Sequence, residues 1–128
     1  MTDDAIREVL KTAKTIAVVG LSSDPFRPSH SIAQYLQQQG YHIIPVNPNE
    51  TAVLGERAVA RLEDIPPPVD IVNVFRRSEF VPDVVQQAIT KGTRCIGRQQ
   101  GGFHPAAAAQ AEAAGIGVVM DVCILQVY

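Results

Sequence analysis

Apolar and polar positions in this chain follow two rhythms. Ile6, Val9, Leu10 and Ala13 recur at i, i+3, i+4 and i+7, which predicts a helix from about Asp3 to Ala13. Thr2 offers an N-cap, and Asp3 and Asp4 suit the positive end of its dipole. "TIAVVG" (Thr15–Gly20) is apolar and β-branched throughout, the pattern of a strand buried on both faces. A second helix is predicted from about Ser29 to Gln39, with Gly40 as its stop.

"YHIIPVNP" (Tyr41–Pro48) reads as the second strand. Pro45 cannot donate to a ladder, so this strand should lie near an edge or use Pro45 where no bond is needed. "TAVLGERAVARLEDIPPP" reads as an irregular link with a turn near Ala60–Leu62 and a rigid triple proline. "DIVNVF" (Asp70–Phe75) is the third strand, "TRCIG" the fourth and "IGVVMD" (Ile116–Asp121) the fifth. Between them, "VPDVVQQAITKG" and "HPAAAAQAEAAG" read as helices, with Pro82 and Pro105 near their starts and Gly92 and Gly115 as stops.

Strands alternating with helices imply an α/β fold with a mostly parallel sheet. The expected architecture is a Rossmann-like, doubly wound sheet of about five strands in order 3-2-1-4-5. With 128 residues, no repeats and no linker, positions 1–128 should form one domain. At 46% hydrophobic the chain can bury a core, and a net charge of -2 supplies no basic field for nucleic acid. Two cysteines are too few for a disulfide framework and suggest a reducing compartment. No apolar run approaches a membrane span of about 20 residues, and the N-terminus lacks the pattern of a signal peptide. A cytoplasmic domain is expected.

Ligands of open parallel sheets bind beyond the carboxyl ends of the strands. That edge should collect Gly20, Leu21 and Ser22 after the first strand and Asn47 and Pro48 after the second. Phe75, Arg76 and Arg77 follow the third strand, and Gln99 and Gly101 the fourth. Gly20 permits a sharp turn beside a ligand, and amides around Ser29–Ser31 suit a phosphate. Arg27, Arg76 and Arg77 are either phosphate contacts or solvated surface residues. An ordinary NAD site does not fit. Ser22 and Pro25 replace two glycines of the Gly-x-Gly-x-x-Gly loop, and Asn47-Pro48 stands where an acid would hold the ribose.

The histidines are scattered, without zinc-like Cys/His spacing, so no metal is expected. His30 is a phosphate donor or a surface residue, His42 should be exposed, and His104 should abut its helix. Cys95 reads as a small core residue. Cys123 lies past the fifth strand, as a packed thiol or one near a ligand's sulfur. No nucleophile–base–orienter set is evident, so no catalytic residue is assigned.

Taken in order, "VVGLSSDPFRPSHSIAQYLQQQGYHIIPVNPN", "LGE", "PVDIVNVFRR", "RQQGGFHP" and "AGIGVVMDVC" resemble the small stand-alone CoA-binding proteins. These are related to the N-terminal CoA-binding domain of the succinyl-CoA synthetase alpha subunit. The resemblance runs from about Thr15 to Cys123 and implies a Rossmann-like fold that binds coenzyme A. By motif, Gly20, Ser22, Arg27, Pro28 and Ser29 would line the pyrophosphate side, and Asn47 and Pro48 would border the nucleotide. Phe75, Arg76 and Arg77 would flank adenosine and its 3′-phosphate, and Gln99 and Gly101 match the family's Gln-x-Gly. Gly97 stands where the family usually has Trp, and Val122 where it often has Arg; both departures fall at the pantetheine end.

Two main readings follow. One is a CoA or acyl-CoA binding module without catalysis of its own, acting as carrier, sensor or partner of another protein or of a second copy. The alternative is a small NADP-dependent oxidoreductase or other nucleotide-binding enzyme, with Arg76 and Arg77 on the 2′-phosphate. A third is an interaction protein with a vestigial fold.

Overall fold

The computed structural model describes residues 3–65, 69–75, 81–98 and 105–119. Helix α1 (Asp3–Thr12) leads into β1 (Thr15–Val19), followed by α2 (Pro28–Gln38) and β2 (His42–Val46). A small hairpin of β3 (Ala52–Val53) and β4 (Glu56–Arg57) and a 3-10 turn (Leu62–Asp64) precede β5 (Ile71–Val74). Then come α3 (Val81–Lys91), β6 (Cys95–Arg98), α4 (Pro105–Ala113) and β7 (Gly117–Val119). The hairpin apart, the strands form one five-stranded parallel sheet, as the alternating pattern implies.

The sheet order is β2-β1-β5-β6-β7. Counting only its five strands along the chain, this is 2-1-3-4-5, which corrects the expected 3-2-1-4-5. The physical reason is Pro45. The His42 N–H bonds Lys14 O at 2.8 Å and the Gly20 N–H bonds Val46 O at 2.8 Å, so the even-numbered residues of β2 face β1. Residues 43 and 45 then face outward, and the missing donor of Pro45 points to the edge of the sheet. A neighbour there would have met a gap in its ladder.

The edge is not left bare. Val59 returns beside it: the Val59 N–H reaches Pro45 O at 3.0 Å, and the Asn47 N–H reaches Val59 O at 2.8 Å. The stretch expected to be irregular therefore contains the β3–β4 hairpin, which corrects the sequence reading. Both residues of its turn have positive φ, Leu54 at 55° and Gly55 at 78°, as a two-residue hairpin turn requires. The Gln37 Nε2 donates to Leu54 O at 3.0 Å, anchoring the hairpin to α2.

Two cores flank the sheet. Val72, Val74, Ala17, Val19 and Ile96 pack against Val84, Val85 and Ala88 of α3 and Ala107, Ala108 and Ala111 of α4. Ile16, Val18, Ile43, Ile71 and Cys95 pack against Val9, Leu10 and Ala13 of α1 and Ile32, Ala33 and Leu36 of α2. Cys95 is the small core residue expected, and burial pushes its thiol up to about 11. His42 is exposed and 3.3 Å from the Glu56 carboxylate.

At the amino-terminal end of the sheet, the Asp70 carboxylate accepts the Lys14 N–H at 2.8 Å and the Thr15 N–H at 3.2 Å. Its carbonyl accepts the Arg94 N–H at 2.9 Å. One residue thus ties the starts of β1, β5 and β6. Asp70→Ala leaves two backbone donors to water and should cost about 1–2 kcal/mol, whereas Asp70→Asn, which keeps an oxygen acceptor, should cost less. Urea unfolding checks this; an unaltered midpoint for Asp70→Ala would show that solvent serves those amides equally well.

Candidate functional site

The strand order sets the switch point of the sheet between β1 and β5, whose connections leave in opposite directions. Residues 20–22 and Phe75 therefore emerge side by side. The Phe75 N–H donates to Val19 O at 2.8 Å, extending the ladder by one residue beyond β5. Gly20 turns the chain out of β1 with φ +88°, a conformation costly for any residue with a side chain. Arg76, Arg77, Gln99, Gly101, His104 and Cys123 lie outside the described residues.

The segment from Gly20 to α2 is held by its own hydrogen bonds. The Ser22 N–H donates to the buried Ser29 Oγ at 3.2 Å, and the Asp24 N–H to Ser22 Oγ at 3.1 Å. The Phe26 N–H donates to Asp24 Oδ1 at 3.0 Å and the Arg27 N–H to Asp24 O at 3.1 Å. Asp24 and Ser22 are well suited to such short-range bonds to following amides. Ser29 is thus a buckle for the loop, its hydroxyl engaged inward. Leu21 is wholly buried in the core beside α2, so only its backbone belongs to the site.

The end of β2 braces the same loop. The half-buried Asn47 donates from Nδ2 to Leu21 O at 3.1 Å and accepts the Asn49 N–H on Oδ1 at 3.0 Å. Pro48 is exposed beside it. Glu50, which the sequence reading overlooked, clasps Ser23: its carboxylate accepts the backbone N–H at 2.5 Å and the hydroxyl at 3.1 Å. These bonds, the backbone one foremost, hold the Glu50 carboxyl below the usual glutamate range.

Helix α2 starts at Pro28, with Arg27 as an exposed N-cap whose side chain makes no capping bond. Its first turn carries no acidic residue. The Arg27 side chain thus stands exposed at the positive end of the α2 dipole, an arrangement suited to an anion. Phe26 stands almost fully exposed beside them, at 94%. His30 is half-buried within the first turn of α2.

A second residue escaped the sequence reading. Asn73 of β5 is 2% exposed, and among the described residues its Nδ2 has no hydrogen-bond partner. Such an unpaired buried donor costs about 1–3 kcal/mol. The signal in the sequence was a single polar residue inside "IVNV". Among the described residues, no group of His, Cys, Asp and Glu is arranged to hold a metal ion, and no helix is long and apolar enough to cross a membrane.

The Glu50 clasp has a pH signature. A depressed carboxyl pKa means the contact favours the folded loop above the usual glutamate range and is lost as pH falls through the lowered value. An NMR titration of the Glu50 side chain should give a midpoint below that range. Ser23→Ala removes only the hydroxyl bond and should recover the smaller part of the shift. A wild-type midpoint at the usual value would mean that the clasp is not made in solution.

Comparison with known proteins gives this arrangement a family. The chain is 44% identical over 119 residues to YneT, an uncharacterized protein of Bacillus subtilis (strain 168), covering 93% of this chain and 88% of that one. It is 32% identical over 83 residues to the ADP-forming acetate–CoA ligase II of Archaeoglobus fulgidus; the match takes in 63% of this chain and 12% of the ligase. A solved structure from Thermus thermophilus superposes with a TM-score of 0.92 at 40% identity, covering 99% of this chain and 96% of that one. The family model described as "CoA binding domain" matches residues 14–128, and the chain belongs to that family.

Proposed function

We propose that this chain binds coenzyme A, or an acyl-CoA, at the carboxyl edge between β1 and β5, as one cytoplasmic domain spanning positions 1–128. It acts without catalysis of its own, as a carrier, sensor or partner module. The observation that carries the reading is the strand order, which brings the Gly20 turn and Phe75 together at the switch point in a member of the CoA-binding family. The acetate–CoA ligase, of which the chain spans 12%, supports the ligand class.

The residues fit the group. Gly20 lets the backbone turn close to a pyrophosphate. Arg27 and the start of α2, at Pro28 and Ser29, meet its charge, while Ser22 and Leu21 hold the loop beneath. A phosphate that reaches Ser23 takes an N–H which now serves Glu50, so its binding exchanges one anion for another. Asn47 and Pro48 border the nucleotide. Phe75, Arg76 and Arg77 flank adenosine and its 3′-phosphate, and Gln99 and Gly101 close the site after β6.

Titration calorimetry tests the reading. CoA should bind more tightly than dephospho-CoA, because a charge-assisted contact to the 3′-phosphate contributes roughly 1.5–3 kcal/mol, or about 10- to 150-fold. Equal affinities would remove the role given to Arg76 and Arg77. NADP binding more tightly than CoA would favour the oxidoreductase reading. Gly20→Val should abolish binding while the domain stays folded, since a β-branched side chain strains the turn and crowds the pyrophosphate. Undiminished affinity in a folded Gly20→Val protein would put the ligand elsewhere.

A further inference from the structure

The four residues of β5 are all buried, and Asn73 alone among them is polar. Successive side chains of a strand point to opposite faces. Val72 and Val74 belong to the core under α3 and α4, whereas Ile71 and Phe75 pack with the core under α1 and α2. Asn73 therefore faces the α1/α2 side, the side of the sheet on which α2 and the Gly20 loop lie. By the same alternation Gly97 of β6 lies on that side, since Cys95 does and Ile96 does not.

Register places Asn73 in the row Pro45, Val18, Asn73, Gly97, Val119. None of its four row neighbours has a polar side chain. Gly97, directly beside it, has no side chain with which to cover it. The row lies one residue short of the carboxyl ends of β1 and β5, just beneath Gly20 and Phe75. A buried amide donor thus waits without a partner immediately below the switch point. Leucine has nearly the same shape and would avoid that cost.

We infer that Asn73 is a ligand contact that reads the pantetheine arm: its Nδ2 donates to a neutral carbonyl oxygen of that arm. This rests on the coenzyme A reading and extends it to a specificity-determining residue. A phosphate is the wrong partner here. Among Pro45, Val18, Gly97 and Val119 no cation balances it, and a buried, unbalanced charge is far more costly than a neutral dipole. A carbonyl needs one donor, and the Asn73 NH2 carries two, neither of them partnered among the described residues. The phosphates stay at the edge with Arg27, and the amide-bearing arm passes over Gly97.

The test compares wild type with Asn73→Leu, and with Asn73→Ala should the leucine variant not fold. The probes are CoA and 3′,5′-ADP, which keeps the nucleotide and its 3′-phosphate but has no pantetheine arm. Loss of the contact should weaken CoA about tenfold and leave 3′,5′-ADP within twofold. The melting temperature of Asn73→Leu should be equal or higher, because an unpaired donor has been removed from the core. Unchanged CoA affinity in the variants would overturn the inference. So would equal weakening of both probes with a lower melting temperature, the mark of a residue that only supports the fold. Wild-type protein that binds neither probe refutes the coenzyme reading itself, an outcome distinct from the other two.

Discussion

A proline without an amide hydrogen decides where the site lies. Pro45 can sit in β2 only with its empty side outward, and the bonds of His42 and Gly20 to the β1 side fix that orientation. β2 then closes the sheet at one edge, and β5 has to take the other flank of β1. The reversal of strand order falls between β1 and β5, which are separated by more than fifty residues of chain yet share a ladder from Ile16–Ile71 to Val19–Val74. A sheet with β5 outside β2 would have left Gly20 and Phe75 on different flanks, and no single ligand would have met both.

The edge strand also governs the loop. Asn47 and Glu50 follow β2 directly and bond to Leu21 and Ser23, so the segment after β1 is shaped by the segment after β2. Val59 covers the outside of the same strand and keeps Asn47 in register through its carbonyl. The loop is therefore braced by a neutral donor, the Asn47 amide, and an anionic acceptor, the Glu50 carboxylate, while Arg27 stands at the start of α2, which has no side-chain cap. Bracing from the β2 side and positive charge at the helix start together suit the loop to an anion.

Sequence periodicity made the helices and parallel strands legible because each has a clear face or a continuous apolar run. "TIAVV" and "DIVNV" reappear as β1 and β5, and Gly40, Gly92 and Gly115 follow the ends of α2, α3 and α4. Strand order was less legible, because apolar runs record burial and not neighbours. Pro45 marked the second strand as one near an edge without deciding which neighbour it has; the expected order 3-2-1-4-5 placed the third strand beside it, whereas the third strand pairs with the first. The β3–β4 hairpin was hidden because its strands are two residues long and its turn uses Leu54 where Asn or Asp is the usual signal. Glu50 was hidden because its partner lies 27 residues away.

The two cores differ in what they tolerate. Under α3 and α4, Ala107, Ala108 and Ala111 let the helix approach the sheet closely. The α1/α2 side buries Ser29 and Asn73, one satisfied and one not. A fold selected for stability alone would gain by filling position 73 with an aliphatic residue, as at 71, 72 and 74. Its survival on the side that carries the Gly20 loop, one residue below the switch point, is understandable if the missing partner is supplied from outside the chain. The unpaired donor is then the local stability cost of recognition, held where the surrounding apolar rows keep water from competing for it.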